Sequence, residues 1–357
     1  MEGTQTKHNS VLEYLFDLNA DHSKAFINSQ RSRRIYRVKH PTEIAVMKCM
    51  DGRVHIPVYT NTPLGIIQPW RNIGGKFDLG WPHYKETIQD WADYCERKGR
   101  KSLVFTTYHY AKGFDGESAE VVKHRGCAGF GYDTESAKAA SLELKKQFVD
   151  DFKDDSVYVI QCGVETDFNT LIFHGDNGQI LDLSEAKFEN DSEIIGTLQN
   201  MYPTFPTDVL QDIVPLIKGN IEHTRMIKQS ERPKIDMEHK EKVLAFGRGF
   251  DSIHEPNFAL IIGPYDIDLV DPIVKAAGLL LKNIKEGRVS EDEGLVLLAC
   301  AVYSEEGSKQ RLAERKARTL ARHAWRVIEE HVPEAAKYFK VVTVTCDLNT
   351  RKFNLLD

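Results

Sequence analysis

Short apolar runs alternate with longer amphipathic segments along the first half of the chain. The apolar runs predict strands at five places: 44–47, 64–68, 103–108, 157–164 and 170–174. Segments 83–98 and 134–152 carry apolar residues at helical spacing and predict helices. Alternating strands and helices are typical of an α/β fold, so we expect a mostly parallel sheet flanked by helices.

The same alternation returns near the end of the chain. Strands are predicted at 243–246, 258–262, 294–302 and 341–346, with helices at 268–285 and 308–331. Prolines recur between 200 and 240, which predicts a connecting region there rather than part of a core. We therefore expect one domain at 35–235 and a second α/β domain at 236–357.

Residues 1–34 precede the first predicted strand. Within them, 10–28 begin at a capping serine, Ser10, and repeat apolar residues at helical spacing, so we expect a helical arm. The sequence leaves open whether this arm supports a dimer or covers the second domain. The N-terminus lacks the apolar core of a secretory signal, and no run approaches the roughly eighteen apolar residues that cross a bilayer. We expect a cytoplasmic protein without a membrane partner.

Composition narrows the possible partners. The chain is 41% hydrophobic, which is ample for folded domains and argues against disorder. Its formal net charge of -6 argues against nucleic acid as a partner, because phosphate binding requires concentrated lysine and arginine. The six cysteines lack the dense spacing of a disulfide framework, so we expect reduced thiols.

Two clusters carry candidate chemistry. Cys49, Asp51 and Arg53 follow the first predicted strand, at the edge where α/β sheets usually bind ligands. His124 and Cys127 form the second cluster. Together they offer three zinc ligands, Cys49, His124 and Cys127, and leave the fourth tetrahedral position free, as catalytic zinc requires. Either cluster alone is equally well explained by a buried cysteine or a surface histidine. The second domain repeats neither pattern, so we expect it to be metal-free.

Three segments, in this order, carry a resemblance to a known family: Cys49-Met-Asp51-Gly-Arg53, Arg71-Asn72-Ile73-Gly74-Gly75 and His124-x-x-Cys127. They resemble the signature of the β-class carbonic anhydrases. The resemblance implies zinc held by Cys49, His124 and Cys127, with Asp51 and Arg53 as the pair that orients zinc-bound hydroxide. It departs from the family in having isoleucine where the second segment usually has alanine, and in a longer step between the first and third segments.

Segments 159–174 and 247–257, with the arginine-rich helix that begins near Gly307, are similar to the carboxysome shell carbonic anhydrases, a divergent β-class branch. We expect the chain to lack the long N-terminal domain of those enzymes and to have the helical arm in its place. The resemblance implies that the second domain is a degenerate copy of the first, which gives an internal pseudo-dimer with one zinc per chain. It also implies a homo-oligomer and leaves a carboxysome or similar compartment open.

We therefore expect a zinc-dependent carbonic anhydrase, a lyase that reversibly hydrates carbon dioxide to bicarbonate and a proton. Two alternatives stay open at this point. One is a catalytically silent zinc-binding scaffold or regulatory protein, although structural zinc sites usually have a fourth ligand. The other is a hydrolase of a carbon dioxide analogue such as carbon disulfide, which would differ mainly in the shape of the substrate tunnel.

Overall fold

The structure, a computed structural model, describes residues 2–152, 157–230, 239–253 and 255–356. The expected domain boundary at 235/236 lies outside the described residues, as does His254 of segment 247–257. In the described ranges, no helix combines the length and apolar character needed to cross a bilayer.

Helices and strands alternate along the chain. The helices are α1 (Glu2–Asn28), α2 (Gln30–Lys39), α3 (Ile56–Tyr59), α4 (Pro82–Arg97), α5 (Ala119–Lys123), α6 (Thr134–Asp151), α7 (Asp191–Met201), α8 (Thr207–Gln229), α9 (Val270–Lys285), α10 (Ser308–His331) and α11 (Pro333–Ala336). The strands are β1 (Glu43–Cys49), β2 (Ile67–Asn72), β3 (Ser102–Tyr110), β4 (Val157–Glu165), β5 (Thr170–His174), β6 (Ile180–Asp182), β7 (Val243–Gly247), β8 (Ala259–Ile262), β9 (Leu295–Tyr303), β10 (Phe339–Asp347) and β11 (Phe353–Leu356).

The strands form two sheets, and the expected α/β fold with mostly parallel strands is confirmed. The first sheet has the order β2-β1-β3-β4-β5-β6, in which β1 to β4 run parallel and β5 and β6 are antiparallel additions. Its second strand lies further along the chain than the pattern predicted, at Ile67–Asn72 instead of 64–68. Gly65 adopts a positive φ of 84°, which is turn geometry and delays the start of the strand.

The second sheet repeats the topology of the first. Its order β8-β7-β9-β10-β11 matches β2-β1-β3-β4-β5, with the last strand again antiparallel. The register also matches, because β3 pairs with β4 from Ser102↔Val157 to Tyr110↔Glu165 and β9 pairs with β10 from Leu295↔Phe339 to Tyr303↔Asp347. The two sheets can therefore be compared position by position.

By their contacts, the residues fall into two compact units, described here separately. The first-sheet unit comprises Arg31–Cys49 and Val54–Met237, and the second-sheet unit comprises Met1–Gln30, Met50–Arg53 and Glu238–Asp357. Helix α1, which contains most of the predicted arm, packs on the second sheet. Its Val11 and Leu15 share a hydrophobic core with β7, β9 and β10, and its Asn19 side chain accepts a bond from the Phe353 N–H at 2.9 Å.

The region 200–240 contains a core helix, so the expectation of a mere connection there is wrong over Thr207–Gln229. Helix α8 buries Leu210, Ile213, Leu216 and Ile217 in the core of the first-sheet unit. Pro206 stands at the N-cap, where a missing N–H costs little, and Pro215 lies inside the helix. Burial of the apolar side chains offsets the helical hydrogen bond that Pro215 cannot make.

Asn220 on α8 connects this helix to α3 and to the β4–β5 hairpin. Its Nδ2 donates to Tyr59 O at 3.0 Å and Asn169 O at 2.8 Å, and its Oδ1 accepts from Leu171 N–H at 2.9 Å. Asn220→Ala would leave these buried groups unpaired, so we expect it to lower the free energy of unfolding by roughly 2–4 kcal/mol. Urea denaturation checks this. Exposed Asn177 is the control, and a loss for Asn220→Ala no larger than that for Asn177→Ala would contradict the prediction.

Candidate metal centre

Three buried side chains of the first-sheet unit converge at one edge of its sheet. Cys49 is the last residue of β1 and His109 is the penultimate residue of β3. Because β1 and β3 are parallel neighbours, their carboxyl ends lie at the same edge. Cys127 reaches this edge from the loop after α5. One potential ligand atom from each of the three residues lies within 4.8 Å of the other two.

The geometry of this group fits a tetrahedral metal ion. The two thiol sulfurs are 3.9 Å apart. Tetrahedral zinc with zinc-sulfur bonds of about 2.3 Å separates two sulfurs by about 3.8 Å. Two thiolates and an imidazole are also a donor set that zinc favours. Among the described residues, no other group of three such side chains meets the same distance condition.

The electrostatics of Cys49 point the same way. The hydrogen bond with the Cys127 thiol and burial together raise the pKa of Cys49 well above its ordinary value. Nearby His109 opposes this rise. A second negative sulfur beside the first is therefore costly unless a cation is present, and a divalent ion bound between the sulfurs would supply that charge.

The loop that carries Cys127 is held on both sides. Arg125, two residues earlier, donates to Glu117 at 2.6 Å through Nη2 and lies 3.2 Å from the Asp167 carboxylate through Nε. After Cys127, Gly129 packs against Gly74, and a Cβ at position 129 would lie only 2.6 Å from Gly74 N. These contacts fix the position of the loop, and with it the direction in which the Cys127 sulfur approaches Cys49 and His109.

Gly74 and Gly75 belong to the second family-like segment, and their conformation explains why glycine stands there. Both adopt positive φ angles, of 63° and 66°. A Cβ on Gly75 would lie 3.2 Å from Thr107 O, which is a tight contact, so the missing side chain lets this turn pack closely against β3. Asn72 closes the turn, because its side chain accepts from Ile73 N–H and donates to Lys76 O, both at 2.8 Å.

His124, the histidine chosen from its spacing to Cys127, is not part of the cluster. It is the C-cap residue of α5, its side chain is exposed, and its ring centroid lies 5.0 Å from that of Tyr132. The structure brings together two of the three predicted ligands, Cys49 and Cys127, and adds His109. A signal for His109 was present in the sequence, since the predicted strand 103–108 ends one residue before it.

Asp51 and Arg53 form a buried ion pair within the second-sheet unit. Arg53 Nη2 donates to Asp51 Oδ2 at 2.7 Å, Nε donates to Oδ1 at 3.1 Å, and the backbone N–H donates to Oδ1 at 2.8 Å. The Arg53 side chain is 1% exposed and that of Asp51 is 6% exposed. The predicted bidentate pair between these two residues is therefore present.

The segment Met50–Arg53 is held against β8. Met50 O accepts a bond from Ile261 N–H at 2.9 Å. Gly52 is required at its position, because a Cβ there would lie 2.6 Å from Ala259 O. Strand β8 thus fixes the backbone on either side of Asp51, and Arg53 donates to its carboxylate.

In the second sheet, the positions that match the metal ligands carry other residues. Val243 pairs with the second residue of β9 as Ile44 pairs with the second residue of β3, so Arg248 matches Cys49. By the same register, Val302 of β9 matches His109. Neither an arginine nor a valine is a zinc ligand, which explains why the described cluster has no counterpart in the second sheet.

Comparisons with known proteins find matches among solved structures. No protein-family model matches the chain, and no curated protein matches it. Five chains of solved structures match, and one is the crystal structure of a carbonic anhydrase from Streptococcus mutans. The match has 17% sequence identity and a TM-score of 0.23, and it covers 43% of this chain and 95% of that chain. The chain itself is a two-sheet α/β protein with a buried Cys-His-Cys candidate metal site.

Proposed function

We propose that this protein is a zinc-dependent carbonic anhydrase that interconverts carbon dioxide and bicarbonate. The observation that carries the proposal is the buried group of Cys49, His109 and Cys127, which has three ligand atoms at zinc-binding distances. The family-like order Cys49-x-Asp51-x-Arg53 supports it from the sequence. In this proposal His109 takes the ligand role first expected of His124.

Cys49, His109 and Cys127 would hold the zinc. When bound, zinc supplies a Lewis acid that produces a nucleophile from water near neutral pH. The two thiolates would balance the charge of the ion. We therefore expect hydration activity to require a more alkaline pH than it would with three neutral imidazole ligands. Three protein ligands leave one tetrahedral position for water or substrate, as in catalytic zinc sites.

Asp51 and Arg53 are the proposed catalytic pair. Asp51 lies two residues after the proposed ligand Cys49, so the two residues cannot be far apart. The bonds from Arg53 fix the plane of the Asp51 carboxylate. A fixed carboxylate can accept a hydrogen bond from the attacking oxygen and so direct a lone pair of that oxygen toward carbon dioxide.

The finer assignment to the carboxysome shell branch rests on the duplicated sheet. One chain contains two sheets of the same strand order, and in the described part only the first carries a metal-ligand group. That arrangement is what the resemblance implies for an internal pseudo-dimer with one zinc per chain. Homo-oligomerisation belongs to the same proposal, and light scattering of the purified protein tests it.

Metal removal tests the proposed activity. We expect about one zinc per chain by elemental analysis, since one three-ligand group is described. Stopped-flow assays of carbon dioxide hydration should show activity in zinc-loaded protein, loss after chelation, and recovery on adding zinc. Zinc-loaded, folded protein without hydration activity would contradict the proposal, as would activity that persists unchanged in metal-free protein.

A further inference from the structure

The guanidinium of Arg53 has a second neighbour besides Asp51. Its Nη2 lies 3.3 Å from Nε2 of His239, a residue of the same second-sheet unit. Arginine carries only donors, so His239 Nε2 must be the acceptor in this contact. With Nε2 as the acceptor, the ring proton lies on Nδ1.

That Nδ1 proton has an acceptor. His239 Nδ1 lies 3.1 Å from Oε1 of Glu241, which is 1% exposed. Glu241 is held in turn by Asn283 of α9, whose Nδ2 donates to Glu241 O at 3.1 Å and to Glu241 Oε2 at 3.4 Å. Each bond in this series has a donor facing an acceptor. Asn283, Glu241 and His239 thus link helix α9 to Arg53 through buried or half-buried side chains.

We propose that His239 and Glu241 are positioning residues for Arg53, and through it for Asp51. The inference rests on the proposed function, because it assigns these residues a role in the orientation of the catalytic pair. Arg53 donates hydrogen bonds to Asp51 through Nε and Nη2, and its Nη2 also contacts His239 from another direction. These two contacts reach the guanidinium from different directions, so together they help to fix its plane.

Two substitutions of His239 separate positioning from packing. His239→Ala removes the acceptor, so we expect kcat for hydration to fall about tenfold while KM and zinc content stay unchanged. His239→Gln restores a side-chain oxygen that can accept from Arg53, and it should recover most of the lost kcat. His323→Ala in α10 is the matched control, since His323 is half-buried in the same unit and makes no contact with Arg53 in the described structure. It should retain wild-type kcat.

A readout that does not depend on activity tests the contact itself. Nitrogen-15 spectra of protein labelled at histidine should show His239 as the neutral tautomer with its proton on Nδ1, and Glu241→Gln should shift that signal. The proposal is overturned if His239 is the other tautomer, if His239→Ala keeps kcat within twofold, or if His239→Gln recovers nothing. Wild-type protein that binds zinc without hydrating carbon dioxide would instead overturn the proposed function, and the positioning role with it.

Discussion

His109→Ala is expected to abolish zinc binding at the cluster of Cys49, His109 and Cys127, and to abolish carbon dioxide hydration with it. Removal of one of the three proposed protein ligands leaves two thiols. Ionising both thiols is costly, because the two negative charges repel each other and both sulfurs are buried. Zinc measured by elemental analysis after dialysis should fall from about one per chain to near zero. Hydration measured by stopped flow should fall to the uncatalysed rate.

The matched control is His124→Ala. This histidine lies three residues before Cys127, but its side chain is exposed at the end of α5. We expect the variant to keep wild-type zinc content and activity. The reverse result, with zinc lost from His124→Ala and retained in His109→Ala, would restore the ligand set expected from the sequence and reject the one that the structure favours.

Arg53→Ala is expected to keep its zinc and lose activity. All three proposed ligands remain in this variant, but the Asp51 carboxylate loses the side-chain donors that fix its plane. Loss of such an orienting partner typically costs roughly 10–100-fold in activity, and we expect kcat/KM to fall by that amount. Asp51→Asn should cause a similar fall, because a carboxamide is a weaker acceptor.

Removal of a buried ion-pair partner can also destabilise the fold, so the folded state must be measured beside the activity. Arg53→Lys keeps the positive charge, and circular dichroism with thermal melting reports whether each variant is folded at the assay temperature. Arg248→Ala, an exposed arginine in the same unit, is the control and should keep wild-type activity. Folded, zinc-loaded Arg53→Ala with wild-type kcat/KM would reject a catalytic role for the pair.

The local sequence pattern is sufficient to predict a contact when the two residues are close neighbours in the chain. Asp51 and Arg53 are two residues apart, and their predicted pair is present because a short loop cannot separate them far. Nine of the eleven described strands were predictable for a similar reason, whereas the short strands β6 and β11 were not predicted. Strands buried on both faces in α/β proteins are apolar runs, which the sequence displays directly.

Helix α8 was missed because proline is a strong local signal against a helix. The cost of Pro215 is local, whereas the compensation comes from apolar side chains packed against strands far away in the chain. The sequence of the 200–240 segment by itself does not show those distant contacts. The apolar residues at helical spacing between the prolines, such as Leu210, Ile213 and Ile217, were the signal that should have been weighed against them.

The sequence by itself determined that this is an α/β protein, that Cys49 and Cys127 are candidate ligands, and that Asp51 and Arg53 form a pair. The tertiary structure decided which histidine joins the two thiols. Linear spacing favoured His124, but pairing of β1 with β3 brings His109 to the edge where Cys49 lies. Sixty residues separate these two side chains along the chain. Only the register of parallel strands, which is set by packing of the whole sheet, makes them neighbours.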